Sequence, residues 1–334
     1  MNRSAYVIEQ NKNTHLVVIS ACSGVTNLLV ELANGTQDNQ RKKAILSELK
    51  SIHFSVLDQL SDPIYPEKAI LEILDDVEKA ADAAALQSSD ELTDRLVACG
   101  ELMSTHLFTQ LLIERGNSAV RFDIRTVLRT DSQFGRGEPL LEDISRLAQE
   151  KLVPLCQKHI VITQGFIGSD NDGNTTTLGR GGSDYSAALI AESVRACGLE
   201  IWTDVPGIYT TDPRIASAAS PIPEISFSEA SEMANYGAKI LHPSTLLPAL
   251  RHQIPVFVGS SKEPEKGGTW IKQTVNSSPL FRALTLRCNQ TMVTLHSPNM
   301  FHAYGFLAEV FKNLQSIPNL SRFITPQEVV FAIT

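Results

Sequence analysis

The sequence lacks the features of membrane, secreted and nucleic-acid-binding proteins. No apolar stretch approaches the ~18 residues that a membrane-spanning helix needs, and residues 1–15 lack the apolar segment of a signal peptide. Basic runs are absent and the formal net charge is −8, which argues against a nucleic-acid partner. The five cysteines are scattered, without Cys-x-x-Cys or close Cys/His spacing, so no disulfide framework or zinc site is indicated. We expect a cytoplasmic protein that binds no metal directly.

The composition is that of a folded protein. The chain has 334 residues, 43% hydrophobic and 20% charged, enough for about two domains of roughly 150 residues. Short apolar, β-branched runs at 16–20, 159–163, 199–203 and 255–258 are separated by helical patterns. This alternation predicts an α/β fold built on a parallel sheet.

Two helix starts and one junction are marked in the sequence. Ser183 follows two glycines and predicts a helix that Gly198 would end, and Ser226–Glu229 has the spacing of a capping box. The polar segment 261–279 shows neither helical nor strand periodicity and predicts a domain junction. Beyond it, a strand near 292–295, a helix and a strand at 329–333 predict a second, smaller unit. The expected division is 1–262, 263–281 as linker, and 282–334.

The segment Leu178–Asp184 is the strongest candidate for binding chemistry. Consecutive glycines that lead into a capped helix direct free N–H groups and the positive helix end at an anion. Arg180 could hold a carboxylate or phosphate through two hydrogen bonds, and Asp184 could meet an ammonium group or a metal. An ordinary glycine-rich loop ending in a helix cap explains the composition equally well, but the threonines at 175–177 favour a site.

Other candidates are weaker alone. Gly165–Gly168 follows a predicted strand, where open α/β sheets bind ligands, although a tight turn explains it as well. The loop 202–214 could hold a ribose and base, or be a structured surface loop. Glu101 lies in an apolar helical pattern, either at the solvent rim or facing a ligand. No dinucleotide fingerprint, P-loop or protein-kinase motif is present.

Six segments occur together in the order found in one family. They are Ser20–Leu29, Gly100–Ser104, Thr163–Gly168, Thr177–Tyr185, Thr203–Arg214 and Gly237–Pro243. Because these six segments occur together, the sequence resembles the aspartokinases, which belong to the amino-acid-kinase fold family. It is most similar to their lysine-sensitive, monofunctional type. The resemblance covers essentially the whole chain.

The resemblance implies a fold, a reaction and a set of site residues. The fold would be a parallel-sheet sandwich with helices on both faces, followed by a partial ACT-like βαβ unit. The reaction would be ATP + L-aspartate → ADP + 4-phospho-L-aspartate, the first step towards lysine, threonine and methionine, with Mg²⁺ on the ATP phosphates. The implied aspartate-binding residues are Thr26, Glu101, Arg180, Ser183 and Asp184, of which Arg180 and Asp184 are the implied catalytic residues. The implied ATP-binding residues are Thr203, Asp204, Tyr209, Arg214, Lys239 and Ile240.

Two departures from the family pattern lead to further expectations. The family begins with a strand carrying Lys-Phe-Gly-Gly-Thr-Ser, which this sequence does not contain, so we expect the chain alone to be weakly active or inactive. The lysine-effector turn matches at Met300, Gly305, Phe306 and Leu307, but Arg322 replaces an aspartate, and a second ACT domain is absent. Lysine inhibition is therefore doubtful. Family members commonly dimerise through ACT domains, which makes a homodimer one expected assembly.

Two alternatives remain open. A catalytically inactive fragment or paralogue would keep the pocket without turnover. A glutamate or acetylglutamate kinase is disfavoured by the run Gly179–Asp184 and by the ACT-like tail.

Overall fold

The chain forms two compact units, Met1–Leu284 and Thr285–Thr334. The computed structural model describes residues 1–179, 181–238, 241, 243–276, 279–286, 305, 308, 309, 312, 320–324 and 329–333.

Helices and strands alternate through the first unit. Its described α-helices are α1 (Asn2–Gln10), α2 (Val25–Ala33), α3 (Asn39–Leu57), α4 (Ile64–Leu86), α5 (Asp90–Glu114), α6 (Leu141–Leu147), α7 (Val153–Cys156), α8 (Gly182–Val194), α9 (Phe227–Asn235) and α10 (Pro243–Arg251). Its described strands are β1 (Leu16–Ile19), β2 (Ala119–Phe122), β3 (Ile160–Gln164), β4 (Ile167–Ser169), β5 (Thr175–Thr177), β6 (Leu199–Thr203), β7 (Glu224–Ser226), β8 (Val256–Ser260) and β9 (Gly268–Lys272). All four runs that the sequence marked as strands are strands, within one or two residues.

A three-stranded parallel sheet, in the order β1-β3-β2, has helices on both faces. On one face Val17 and Ile19 pack with α1 and with Phe108 of α5. On the other face Leu16 and Val18 belong to a cluster that includes α6 and α8. The alternation of side chains along β1 thus separates two cores, and the predicted α/β sandwich is confirmed.

A second sheet, in the order β6-β8-β9-β7, is mixed. β6 and β8 are parallel, as are β7 and β9, but β8 and β9 are antiparallel. Strand β9 lies inside the segment that was expected to be linker. Thr269 and Ile271 are buried while their neighbours are partly exposed, and the Trp270 ring packs on Phe257 at 5.1 Å between centroids. In the sequence, β9 is a five-residue alternation of buried and partly exposed side chains inside a polar segment. This alternation was too short to predict a strand.

The two marked helix starts are present. At α9 the Ser226 hydroxyl accepts from the Glu229 N–H at 3.3 Å, and Glu229 accepts from the Ser226 N–H at 2.9 Å, which completes the capping box. Helix α8, however, ends four residues before Gly198. Its C-terminal cap is Arg195, which is in the left-handed region with φ of 56°, and the Arg195 N–H donates to the Glu192 carbonyl in the last turn at 3.1 Å.

Helix α5 is the central helix of the first unit. By length and composition it could cross a membrane, but 78% of its most apolar window is buried in the molecule. One side of α5 packs on the first sheet, and the other packs on a layer formed by α2, α3 and α4. Its apolar character therefore reflects burial on both sides.

The second unit contains two described strands. β10 (Leu320–Ile324) pairs antiparallel with β11 (Val329–Ile333), and Arg322 lies opposite Phe331. β11 is the predicted final strand. The strand expected near 292–295 and most of the expected helix lie outside the described residues.

Candidate active site

The carboxyl ends of β1 and β3 bring the sequence motifs together. The Gly165 N–H, just after β3, donates to the Ile19 carbonyl at the end of β1 at 3.0 Å. A Cβ built on Gly165 would lie 2.9 Å from both Cβ and Oγ of Ser183. Glycine is therefore required for the start of α8 to lie against the end of β3. Polar loops and helix N-termini meet at this edge of the sheet, as expected for an α/β binding site.

Glu101 is buried in α5 beside this edge. It is 3% exposed, and its Oε1 accepts a long hydrogen bond from the Ala21 N–H, at 3.3 Å. Its Oε2 has no hydrogen-bond partner among the residues that the structure describes. Burial raises the pKa of Glu101 to about 7, against the opposing effect of the Ala21 N–H. A buried carboxylate that is only half satisfied is suited to a cationic group of a ligand.

Helix α5 approaches the loop after β1 closely. A Cβ on Gly100 would lie 2.8 Å from the Ala21 Cβ, so only glycine permits this distance. The Ser104 hydroxyl, one turn further, donates to the Ser20 carbonyl at 2.9 Å. These contacts fix Glu101 relative to β1, and they explain why the segment Gly100–Ser104 reads as a motif.

The first turn of α8 supplies a second carboxylate. Gly181 caps this helix in the left-handed region, with φ of 71°, and Ser183 and Asp184 follow in its first turn. Burial raises the pKa of Asp184, whose carboxylate has no hydrogen bond or ion pair to any residue that the structure describes. Thr26 is half-buried in the first turn of α2, two residues after the left-handed Gly24. Arg180 lies outside the described residues.

Asp94 is the polar residue of this region that the sequence analysis missed. It is 1% exposed on α5 and accepts three hydrogen bonds, from the Gly135 N–H and from the N–H and hydroxyl of Thr177. The available signal was an acidic residue seven positions before Glu101, two turns away on the same face of α5.

Four of the six predicted nucleotide-binding residues lie at the end of β6 and on the loop that follows it. The Thr203 carbonyl accepts from the N–H and hydroxyl of Ser261, at 2.9 and 3.1 Å, and Asp204 is exposed beside it. Tyr209 is half-buried and forms an isolated bridge with Pro221. Arg214 is exposed and makes an ion pair with Asp212 on the same loop, at 2.7 Å. Lys239 and Ile240 lie outside the described residues, so the structure brings together only part of this set.

The structure describes few of the residues predicted for the lysine effector. Of the effector residues only Gly305 is described, at a turn with φ of 84°. Met300, Phe306 and Leu307 lie outside the described residues. In the described part of the chain, no group of three or more His, Cys, Asp or Glu could hold a metal ion.

Known proteins match this chain over most of its length. The family model "Amino acid kinase family" matches residues 1–260. Lysine-sensitive aspartokinase 3 of Escherichia coli is 53% identical over all 334 residues, which span 74% of that protein. The aspartokinase of Chlamydia pneumoniae is 38% identical over 84% of this chain and 62% of its own length.

Solved structures agree. The crystal structure of E. coli aspartokinase III in complex with aspartate and ADP, in its R-state, has a TM-score of 0.90 and 51% identity, covering 99% of this chain and 74% of that one. The T-state of the same enzyme, in complex with lysine and aspartate, has a TM-score of 0.85 and 53% identity, with the same coverage.

Proposed function

Because the chain belongs to the amino acid kinase family and, within it, to the aspartokinases, we propose that it transfers the γ-phosphoryl group of ATP to the side-chain carboxylate of L-aspartate. The products are ADP and 4-phospho-L-aspartate. The observation that carries this proposal is Glu101, whose buried carboxylate lies at the loop after β1, bonded at one oxygen to the Ala21 N–H and without a partner for the other among the described residues. An amino-acid substrate supplies the ammonium group that such a carboxylate lacks.

The aspartate pocket would be formed by two acidic residues and two helix ends. Glu101 and Asp184 face the substrate ammonium, and Thr26 and Ser183 complete the pocket with their hydroxyls. The starts of α2 and α8 direct free N–H groups and partial positive charge at the substrate carboxylates. Arg180 holds the α-carboxylate through two hydrogen bonds. The burial of both acidic residues without a cation among the described residues supports this assignment.

The second substrate would be ATP as its magnesium complex. Thr203, Asp204, Tyr209, Arg214, Lys239 and Ile240 are the residues that we propose for the nucleotide. Mg²⁺ enters with the phosphates, whose oxygens are the ligands that it prefers.

The reaction needs positioning more than proton transfer. The attacking carboxylate is already ionised near neutral pH, so no general base is required. What the site must provide is alignment of that carboxylate with the γ-phosphate and compensation of the charge on the phosphoryl oxygens. Glu101 and Asp184 therefore act by orienting the substrate through its ammonium group, away from the reacting oxygen.

Three further assignments go with this function. Residues 1–262 form the catalytic domain, 263–281 the linker and 282–334 an ACT-like unit, with β9 as the exception inside the linker. L-Lysine is the effector of the ACT-like unit, and Arg322 weakens its effect by reversing a charge. The enzyme is soluble, acts in the cytoplasm and forms homodimers.

The test is substrate-dependent release of ADP. We expect weak ADP formation with L-aspartate, trapping of the product as its hydroxamate, and no stimulation by L-glutamate or N-acetyl-L-glutamate. Stimulation by either of the latter would assign the chain to another branch of the family. Calorimetric binding of L-aspartate and ADP without turnover would support the inactive paralogue instead.

A further inference from the structure

Asp94 holds two separate segments of backbone through one buried carboxylate. Its Oδ2 accepts from the N–H groups of Gly135 and Thr177, at 2.8 and 2.9 Å, and its Oδ1 accepts from the Thr177 hydroxyl at 2.7 Å. Burial raises the pKa of Asp94, while these three donors act in the opposite direction. All three bonds go to chain that lies 41 or 83 residues away in sequence.

Of the two segments that Asp94 holds, one runs directly into the glycine-rich segment 178–182 and the other lies against Gly179. Thr177 is the last residue of β5, and its carbonyl accepts from the Gly137 N–H at 2.7 Å. A Cβ on Gly179 would lie 3.2 Å from the Gly135 carbonyl oxygen, so the two loops are in contact. The Gly182 N–H then donates to the Gly179 carbonyl at 3.1 Å, which closes the turn before α8.

The same helix carries Asp94 and Glu101. Seven residues of α-helix are about two turns, or roughly 10 Å of rise, with both side chains on one face. Helix α5 therefore holds Thr177, the residue just before the glycine-rich segment, through Asp94, and reaches the pocket through Glu101. Because a helix of this length is stiff, the distance between these two points is set by α5.

We propose, on the basis of the aspartate-kinase function above, that Asp94 is a positioning residue for the aspartate pocket. By fixing the backbone at Gly135 and Thr177, it holds the glycine-rich segment and the start of α8 at the separation from Glu101 that the two ends of aspartate require. Asp94 touches no substrate in this proposal. It acts through the segment that follows Thr177.

Three variants separate this role from general stability. Asp94→Ala removes both acceptor oxygens and with them all three hydrogen bonds. Asp94→Asn keeps an amide oxygen for the two backbone donors and an amide N–H for the Thr177 hydroxyl, and Thr177→Val removes the hydroxyl bond alone. The matched control is Leu112→Ala, a fully buried position near the other end of α5, which destabilises the helix without touching these loops.

The measurement is the KM for L-aspartate and for ATP, with L-aspartate affinity by calorimetry and stability by urea unfolding on the same samples. A displaced binding group can cost about 100-fold, so we expect Asp94→Ala to raise the KM for aspartate at least about tenfold. We expect the KM for ATP to change less than about twofold, Asp94→Asn to restore most of the loss, and Thr177→Val to give a small rise.

Several outcomes overturn the proposal. A rise in the aspartate KM no larger than that of Leu112→Ala would reduce Asp94 to a stabilising residue, and an equal rise for ATP would exclude a specific role. Failure of Asp94→Asn to recover affinity would show that charge, not the bonded geometry, matters. If Asp94→Ala does not fold, the other two variants decide. Wild-type protein that does not bind L-aspartate would refute the proposed function and this role together, whereas normal wild-type binding with unaffected variants refutes only the role of Asp94.

Discussion

Replacing Glu101 with glutamine tests whether the buried carboxylate receives the ammonium group of the substrate. The two side chains have nearly the same shape, so packing is preserved and only the ability to ionise is lost. The empty pocket and the pocket with aspartate should respond in opposite directions. Without ligand, the negative charge of Glu101 destabilises the folded protein. With ligand, it pairs with the ammonium group of aspartate.

The structure gives the size of the first effect. Burial raises the pKa of Glu101 from 4.5 to about 7, and each pKa unit corresponds to about 1.4 kcal/mol. Ionisation in the folded, empty pocket therefore costs about 3 kcal/mol more than in the unfolded chain. The unfolded chain loses this proton near pH 4.5 and the folded chain only near pH 7. The free energy of unfolding should accordingly fall as pH rises through this interval and then level off.

Glutamine cannot ionise, so the free energy of unfolding of the variant should not decrease over this pH interval for this reason. Urea unfolding from pH 5 to pH 8 should show Glu101→Gln becoming more stable than wild type as pH rises, by up to about 3 kcal/mol. In contrast, its affinity for L-aspartate should fall by about 30-fold or more, because losing one member of a buried charge pair costs about 2–5 kcal/mol.

The control is Glu72→Gln, an exposed position on α4, which should change neither quantity. Two results would refute the reasoning. One is a stability difference between wild type and Glu101→Gln that does not vary with pH. The other is an aspartate affinity that changes by less than about threefold, since a buried ammonium–carboxylate contact is worth more than that.

Three further predictions concern packing, capping and a buried histidine. Gly165→Ala places a Cβ 2.9 Å from the Ser183 side chain, so we expect a loss of about 1–3 kcal/mol in urea unfolding and a higher KM for aspartate; an unchanged KM would contradict the role of this contact. Ser226→Ala breaks the capping box of α9 and should cost about 1 kcal/mol, and a neutral result would show that the cap is replaced by water. Burial and the nearby Arg121 lower the pKa of His106 to about 4. Because the unfolded chain takes up that proton near pH 6.5, wild type should lose up to about 3 kcal/mol relative to His106→Leu between pH 6.5 and pH 4; parallel pH profiles would contradict this.

Much of the local structure could be predicted from the sequence, because it depends on neighbouring residues. The strand at Leu199–Thr203 is a short apolar run and appears with those bounds. The capping box of Ser226 and Glu229 needs only a spacing of three residues. The glycines before Ser183 lead into a helix because Gly181 adopts the left-handed conformation that other residues avoid.

Local sequence patterns did not predict the elements whose bounds depend on residues far away in the sequence. Strand β9 is held by pairing with β7 and β8 on its two sides, and its five residues alone do not show this. The cap of α8 at Arg195, instead of near Gly198, was likewise not predicted, because an arginine with positive φ is uncommon and glycine is the usual residue there.

The sequence by itself determined the family, the order of the motifs and the identity of the candidate residues, because these are properties of residue type and spacing. Only the tertiary structure decided the burial and the hydrogen bonding of Glu101 and Asp94. Glu101 accepts from the Ala21 N–H, 80 residues away in sequence, and has one oxygen without a partner in the described part of the chain. Asp94 accepts from Thr177, 83 residues away. Burial and hydrogen bonding of a carboxylate depend on which segments fold against it, and no local pattern in the chain records that.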